Sequence, residues 1–229
     1  MTFLTDNLYF GSLITVAFYA LGLVLKKKYR LAVLNPILIA VLCVGGLLLA
    51  TETPYEAYKS GAQPISYLLT PATVCLALPL YEKLSLLKKH WKAITLGILA
   101  GAAVSLLATY LLCAALGQSR EIYATLLPKS ITSAFGMSLS EELGGIPSVT
   151  VACIILSGIV GSVTGETVFM LLRVTSPIAR GVGLGTASHA IGTAKAAEMG
   201  KTEAAMSSLA LVICGILTTV AAPFFLRLM

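Results

Sequence analysis

Leu34 to Ala50, Ala93 to Leu116, Pro147 to Leu172 and Ala204 to Leu226 hold almost nothing but apolar and small residues. About 20 residues of helix cross the hydrocarbon core of a bilayer, so a chain with several such runs has little choice of solvent. Charged residues agree, at 11% of the 229 positions against about 25% in an ordinary soluble domain. The short alternating segments of a membrane β-barrel are absent. An all-α fold follows: a polytopic transmembrane helical bundle of about seven to eight membrane elements, with broken or re-entrant helices among them.

The elements separate at polar punctuation. Helix 1 is expected from Leu8 to Leu25, and the start of the chain reads as a retained membrane segment. Element 3, Gln63 to Tyr81, carries Pro64, Pro71 and Pro79, and Pro71 should break it near Thr70. Element 5, Ile122 to Ser140, has Pro128 and Lys129 near its middle and reads as a broken crossing or a re-entrant hairpin. Element 7, Pro177 to Ala197, is rich in Gly, Ser and Thr. Lys26, Lys27, Lys28 and Arg30 form one basic loop; Lys83, Lys88, Lys89 and Lys92 form another. Such loops set orientation and face the cytoplasm. A full crossing by element 5 brings Lys195 and Lys201 to that same side and the C-terminus to the opposite one. The whole chain, 1–229, reads as one membrane domain. Pro36 and Pro147 open similar layouts, an echo that pairs halves 31–116 and 146–228.

Several function classes drop out. The five cysteines stand alone in apolar runs, so neither a disulfide framework nor a metal site is expected. The net charge of +6 sits in short loops without interleaved aromatics, which gives nucleic acid no surface. No phosphate loop is present, and no cofactor is expected. An enzyme is not expected either: Ser188 and His189 are adjacent, but no acid lies within helical reach of His189.

Candidate chemistry falls at the breaks. Pro128 can open a helix start, where free backbone N–H groups favour an anion. Lys129 adds a charge, and Ser130, Thr132 and Ser133 can cap or line the start. The competing reading of Lys129 is a snorkelling side chain at a helix end. In element 7, Ser188, His189 and Thr193 are candidate substrate contacts, and Gly185 and Gly192 are candidate break points. His189 can relay a proton or simply be satisfied by a neighbouring helix. Glu166 is a proton carrier or a counter-ion for Lys129 or Arg180, and an interfacial carboxylate is equally open. Broken elements of this kind form substrate sites in secondary transporters.

Together, Asn35-Pro36, Pro71-Ala72-Thr73-Val74, Pro128-Lys129-Ser130-Ile131-Thr132, Gly144-Gly145-Ile146-Pro147 and Gly185 through Ala194 resemble the LrgB family, which includes CidB. The resemblance covers nearly the whole chain. Two positions depart from it: Ala134 stands where the family often has Pro, and Lys195 where it often has Arg. It implies holin- or antiholin-like control of murein hydrolase export and autolysis. A small LrgA- or CidA-like membrane partner and a bacterial cytoplasmic (inner) membrane location are also implied, with a homo-oligomer left open. Relatives that include a plastid glycolate and glycerate translocator imply movement of small monocarboxylates such as pyruvate, lactate, glycolate or glycerate, with proton coupling open. The residues themselves favour transport as the main reading and antiholin-like modulation as the alternative.

Overall fold

The computed structural model describes residues 9–29, 34–75 and 77–229, and every regular element among them is a helix. Leu8 and Arg30, expected in helix 1 and in the first basic loop, lie outside the described residues, as do the side chains of Thr70 and Thr73. The chain divides into two compact units, Met1–Cys75 and Leu76–Met229.

The first unit holds α1 (Phe10–Tyr29), α2 (Pro36–Ala50), α3 (Tyr55–Gly61), α4 (Gln63–Tyr67) and α5 (Leu69–Cys75). Asn35 caps α2, its side chain accepting from Ile37 N at 2.8 Å with Pro36 in the first turn, where a missing N–H costs nothing. Gly22 lets α1 lie directly on Pro36. The Ser12 hydroxyl donates to Gly61 O at 2.8 Å and ties α1 to the end of α3. The break expected near Thr70 falls at Leu68, and Pro71 sits in the first turn of the helix that follows, α5. A first-turn proline has no intrahelical donor to lose.

The second unit holds α6 (Ala77–Glu82), α7 (Leu84–Ala115), α8 (Arg120–Leu126), α9 (Ser133–Glu142), α10 (Pro147–Leu171), α11 (Pro177–Met199) and α12 (Lys201–Leu226). Among the described residues, α1, α7, α10 and α12 are the helices long and apolar enough to cross a membrane. α12 runs alongside α7 in the same direction. Lys201 reaches Glu82 (3.4 Å) at one end, and at the other the Tyr123 hydroxyl donates to Phe225 O (3.1 Å) while its ring packs on Tyr110.

Element 5 does not cross. α8 and α9 fold back on each other about Pro128–Thr132. A Cβ on Gly145, just past α9, would press on Thr125 N (2.7 Å), and the Thr150 hydroxyl is hydrogen-bonded to both Thr125 O (2.9 Å) and Ser140 Oγ (2.7 Å). Residues at both ends of the element thus lie together, beside the start of α10. Each arm is too short to span alone.

α11 folds back as well, about His189. A Cβ on Gly192 would overlap the carbonyl of Leu184, eight positions earlier and far out of reach along a straight helix. The rising arm lies antiparallel to α10, with Gly165 beside Leu184, Gly161 beside Ser188 and Gly158 beside His189. It also lies along α12, where Gly181 meets Glu203 and Gly185 meets Ser207. Gly185 and Gly192 are therefore points of close approach, not the break points expected from sequence. The break is carried by His189 at φ 40°, ψ −131°, a conformation that favours glycine and costs on the order of 1–3 kcal/mol elsewhere.

His189 stays there because its ring is anchored. Nε2 lies 2.8 Å from Ile154 O of α10, and a carbonyl can only accept, so Nε2 carries the proton. Gly158 leaves room for the ring, since a Cβ would stand 2.7 Å from its Cε1. The two hairpins enter from opposite ends of the unit. α8–α9 starts at the Ala115 end of α7; α11 starts at the Leu84 end, with Val182 beside Gly97 and Thr186 beside Gly101. Lys201 and the C-terminus fall on the sides that a crossing element 5 would have given, because the second hairpin cancels the first.

Apolar packing fills both halves. Ile94, Ile98, Val182, Ala205 and Met206 are buried toward the Leu84 end; Leu106, Tyr123, Leu127, Ile131 and Ala222 are buried toward the other. In lipid, helices gain little from burying apolar area, so close contact between small residues carries much of the association. We expect Gly161→Leu to lower stability in detergent by about 1–3 kcal/mol through overpacking. Gly45→Leu, where a Cβ meets nothing within 4 Å, should leave the melting temperature unchanged. His189→Gly should melt higher than His189→Ala, because glycine adopts the positive φ without strain while both lose the ring anchor.

Candidate functional site

The two tips converge on the same level of the unit. Both reach Ile154 of α10: the His189 ring through its carbonyl, and α9 through Gly136, which lies against the Ile154 side chain. Both reach adjacent turns of α7, at Ser105 and Gly101.

At the first tip, Lys129 Nζ donates to Ser105 Oγ at 3.2 Å, and Ser105 Oγ lies 2.7 Å from Ser130 Oγ. Ser130 is buried and Lys129 half-buried. Pro128 sits in the turn between the arms. Thr132 is the N-cap of α9 (φ −70°, ψ 152°) but its side chain makes no cap bond, and Ser133 is the first residue of the helix. The backbone donors of that first turn have no intrahelical acceptors and present a partial positive charge. Lys129, Ser130, Thr132 and Ser133 are therefore together, as expected from sequence. Ser105 was missed, although a serine four positions after Gly101 in an otherwise apolar helix is the kind of residue that marks a polar path.

At the second tip, Ser188, His189 and Thr193 are also together, but most of their hydrogen-bonding capacity is already used. Thr193 Oγ1 donates to His189 O at 2.9 Å and lies 2.8 Å from Ser207 Oγ, tying the descending arm to α12. The His189 Nε2 proton is committed to Ile154 O. Ser188 Oγ is buried without a hydrogen-bond partner, packed onto Gly161. A hydroxyl so placed costs about 1–3 kcal/mol.

Glu166 stands apart from both tips. It pairs with Lys195 at 2.7 Å, and Lys195 also meets Glu198 at 3.3 Å. The counter-ion of Glu166 is thus neither Lys129 nor Arg180, the partners considered from sequence. Folding α11 back brings Lys195 alongside α10, a neighbour that a straight helix could not offer. Arg180 instead donates from Nε to Val174 O at 2.8 Å and closes the turn before α11. Among the described residues, no group of His, Cys, Asp and Glu could hold a metal ion.

Comparison with known proteins shows the family. The LrgB-like family matches residues 15–228. An uncharacterized protein of Haemophilus influenzae is 36% identical over 221 residues, which cover 96% of each chain. Proteins named antiholin-like protein LrgB from Bacillus mycoides and Bacillus cereus are each 34% identical over 219 residues, 95% of each chain. No solved structure matches. The chain belongs to the LrgB-like family of membrane proteins.

Proposed function

We propose that this protein carries small monocarboxylates, of the pyruvate, lactate, glycolate or glycerate class, across the bacterial inner membrane. The observation that supports this most is the pair of folded-back helices that enter from opposite ends and meet at Ile154 of α10, with Lys129 on the first tip. A broken helix exposes backbone donors at depth in a membrane, and such ends serve as anion sites in transporters. Lys129 supplies the matching charge, the α9 start supplies N–H groups, and the Ser105, Ser130 and Ser133 hydroxyls orient the carboxylate. Ser188 on Gly161, Thr193 on Ser207 and the His189 ring on Ile154 hold the second tip in place, with His189 Nδ1 left for a proton or a substrate contact. Glu166 is a proton acceptor only if Lys195 releases it, so proton coupling would run through that pair.

Orientation follows from charge. Lys83, Lys88, Lys89, Lys92, Arg173 and Lys201 outnumber Glu82, Glu198 and Glu203 at the Leu84 end of the unit, whereas Glu121, Glu141 and Glu142 outnumber Arg120 and Arg227 at the other. The basic end belongs in the cytoplasm, which makes the protein multi-pass with its C-terminus outside.

The names of the Bacillus relatives favour a second reading, in which the protein modulates murein hydrolase export and autolysis in an antiholin-like way, beside a small LrgA-like partner. The two readings separate at Lys129. In proteoliposomes with an imposed pH gradient, wild type should take up labelled pyruvate, lactate or glycolate saturably. Lys129→Met, at equal insertion, should lose nearly all of that uptake, and Lys129→Arg should keep part of it. An autolysis phenotype that depends on the LrgA-like partner and survives Lys129→Met, together with no flux of any tested carboxylate by folded wild type, sinks the transport reading in favour of the second.

A further inference from the structure

A cavity of about 480 Å³ runs between α7 and the rising arm of α11 on the Leu84 side. His90 and Ser176 stand at its outer end, Gly97 forms its floor, and Gly101 and Thr186 close its inner end. On α7, Ala93, Gly97, Gly101 and Ser105 follow at intervals of four, so they share one helix face. The last of them holds Lys129 Nζ at 3.2 Å. The cavity therefore points along a stripe of absent side chains toward the one charged group at the first tip.

Beyond Lys129 the same direction is shut. Leu106, Tyr123, Leu127, Ile131 and Ala222 are each between 0% and 3% exposed and pack as one cluster between the tip and the far end of the unit. The cavity thus stops at Thr186 on Gly101, one turn of α7 short of Ser105 and Lys129, and the far side of Lys129 is filled.

We infer that this cavity is the vestibule by which a small organic anion approaches Lys129 from the basic end, with the Thr186 side chain against Gly101 as the barrier between the two. The inference rests on the transport reading and adds its access route, its sidedness and the width of its substrate. The occupant follows from charge: Lys88, Lys89 and Lys92 flank His90 in sequence at the outer end, Lys129 lies past the inner end, and among the described residues no carboxylate lines the cavity. Ile94, Ile178 and Val182 along the walls suit a short apolar tail. Gly97 sets the width, because any larger residue there would project across the floor.

The test places a thiol in the vestibule. Gly97→Cys is tolerable by geometry, since its Cβ would meet only Val182 Cγ1, at 3.4 Å; Ala93→Cys, at an exposed position, is the second probe should the first fail to insert. Each is treated with the membrane-impermeant anion 2-sulfonatoethyl methanethiosulfonate in vesicles of both orientations. Sidedness is mapped by trypsin cleavage at Lys88–Lys89, and wild type with its native cysteines gives the background. Labelling is expected from the face that exposes Lys89 and not from the other. Pyruvate should slow it, and that protection should vanish in Lys129→Met. Absent labelling from either face in both variants, with wild-type flux intact, means a lipid-filled groove; it overturns the vestibule and leaves transport standing. Equal labelling from both faces overturns the sidedness. One-sided labelling without pyruvate protection, and with no flux of any tested carboxylate, overturns the transport reading and this inference together.

Discussion

A backbone that stops being helical inside a bilayer exposes N–H and C=O groups that lipid cannot satisfy, at a cost of several kcal/mol each. The second unit breaks its backbone twice at depth, and its other features follow from managing those breaks. Each tip is wedged against continuous helices, so the freed groups face protein and not lipid. The first tip leans on α7 through Lys129 and Ser105, the second on α10 through His189 and Ile154. α7, α10 and α12 can be long and mostly apolar along their middles because much of the polar burden is carried by the two hairpins beside them.

Holding those hairpins close requires an absence of side chains at specific places. Gly158, Gly161 and Gly165 form one groove on α10, and the rising arm of α11 fills it with His189, Ser188 and Leu184. Gly181 and Gly185 let the same arm lie on α12. The arm is thus gripped from both sides at backbone distance. Contact at that distance fixes the height of the tip and leaves little slack. The strain at His189 and the unpartnered Ser188 hydroxyl persist because these neighbours leave no alternative arrangement within reach.

Much of this was legible from residue type. The apolar runs marked the long helices, Asn35-Pro36 marked a capped start, and Pro128 marked the first break, because a proline inside an apolar run must interrupt the hydrogen-bond ladder. The second break was harder to see. Sequence reasoning assigns a turn to glycine, and α11 offers Gly185 and Gly192, yet the positive φ falls on His189 and those glycines serve close packing. Folding back was equally hidden, since two short arms have the length of one crossing and periodicity does not reveal direction. The Glu166–Lys195 pair could not be read without that fold, because only a reversed arm brings the two residues together. Ser105 carried a signal, a lone hydroxyl in an apolar helix, but its partner lies across a break.

Two lysines on the two hairpins show why the site belongs at one tip and not at the other. Lys195 is neutralised where it stands, by Glu166 at 2.7 Å and Glu198 at 3.3 Å. Lys129 donates to a serine hydroxyl instead, and a hydroxyl orients a charge without cancelling it. An ammonium group at depth in a membrane is expensive, about 2.5 kcal/mol or more on insertion scales, and a fold under no other demand would place a carboxylate beside it. The second hairpin has done that, which shows that such a pairing is within reach of this architecture. At the first tip the compensation is withheld, next to a helix start whose free donors also seek negative charge. An anion arriving there completes both deficits at once and can leave again, whereas a built-in carboxylate would have filled the site permanently.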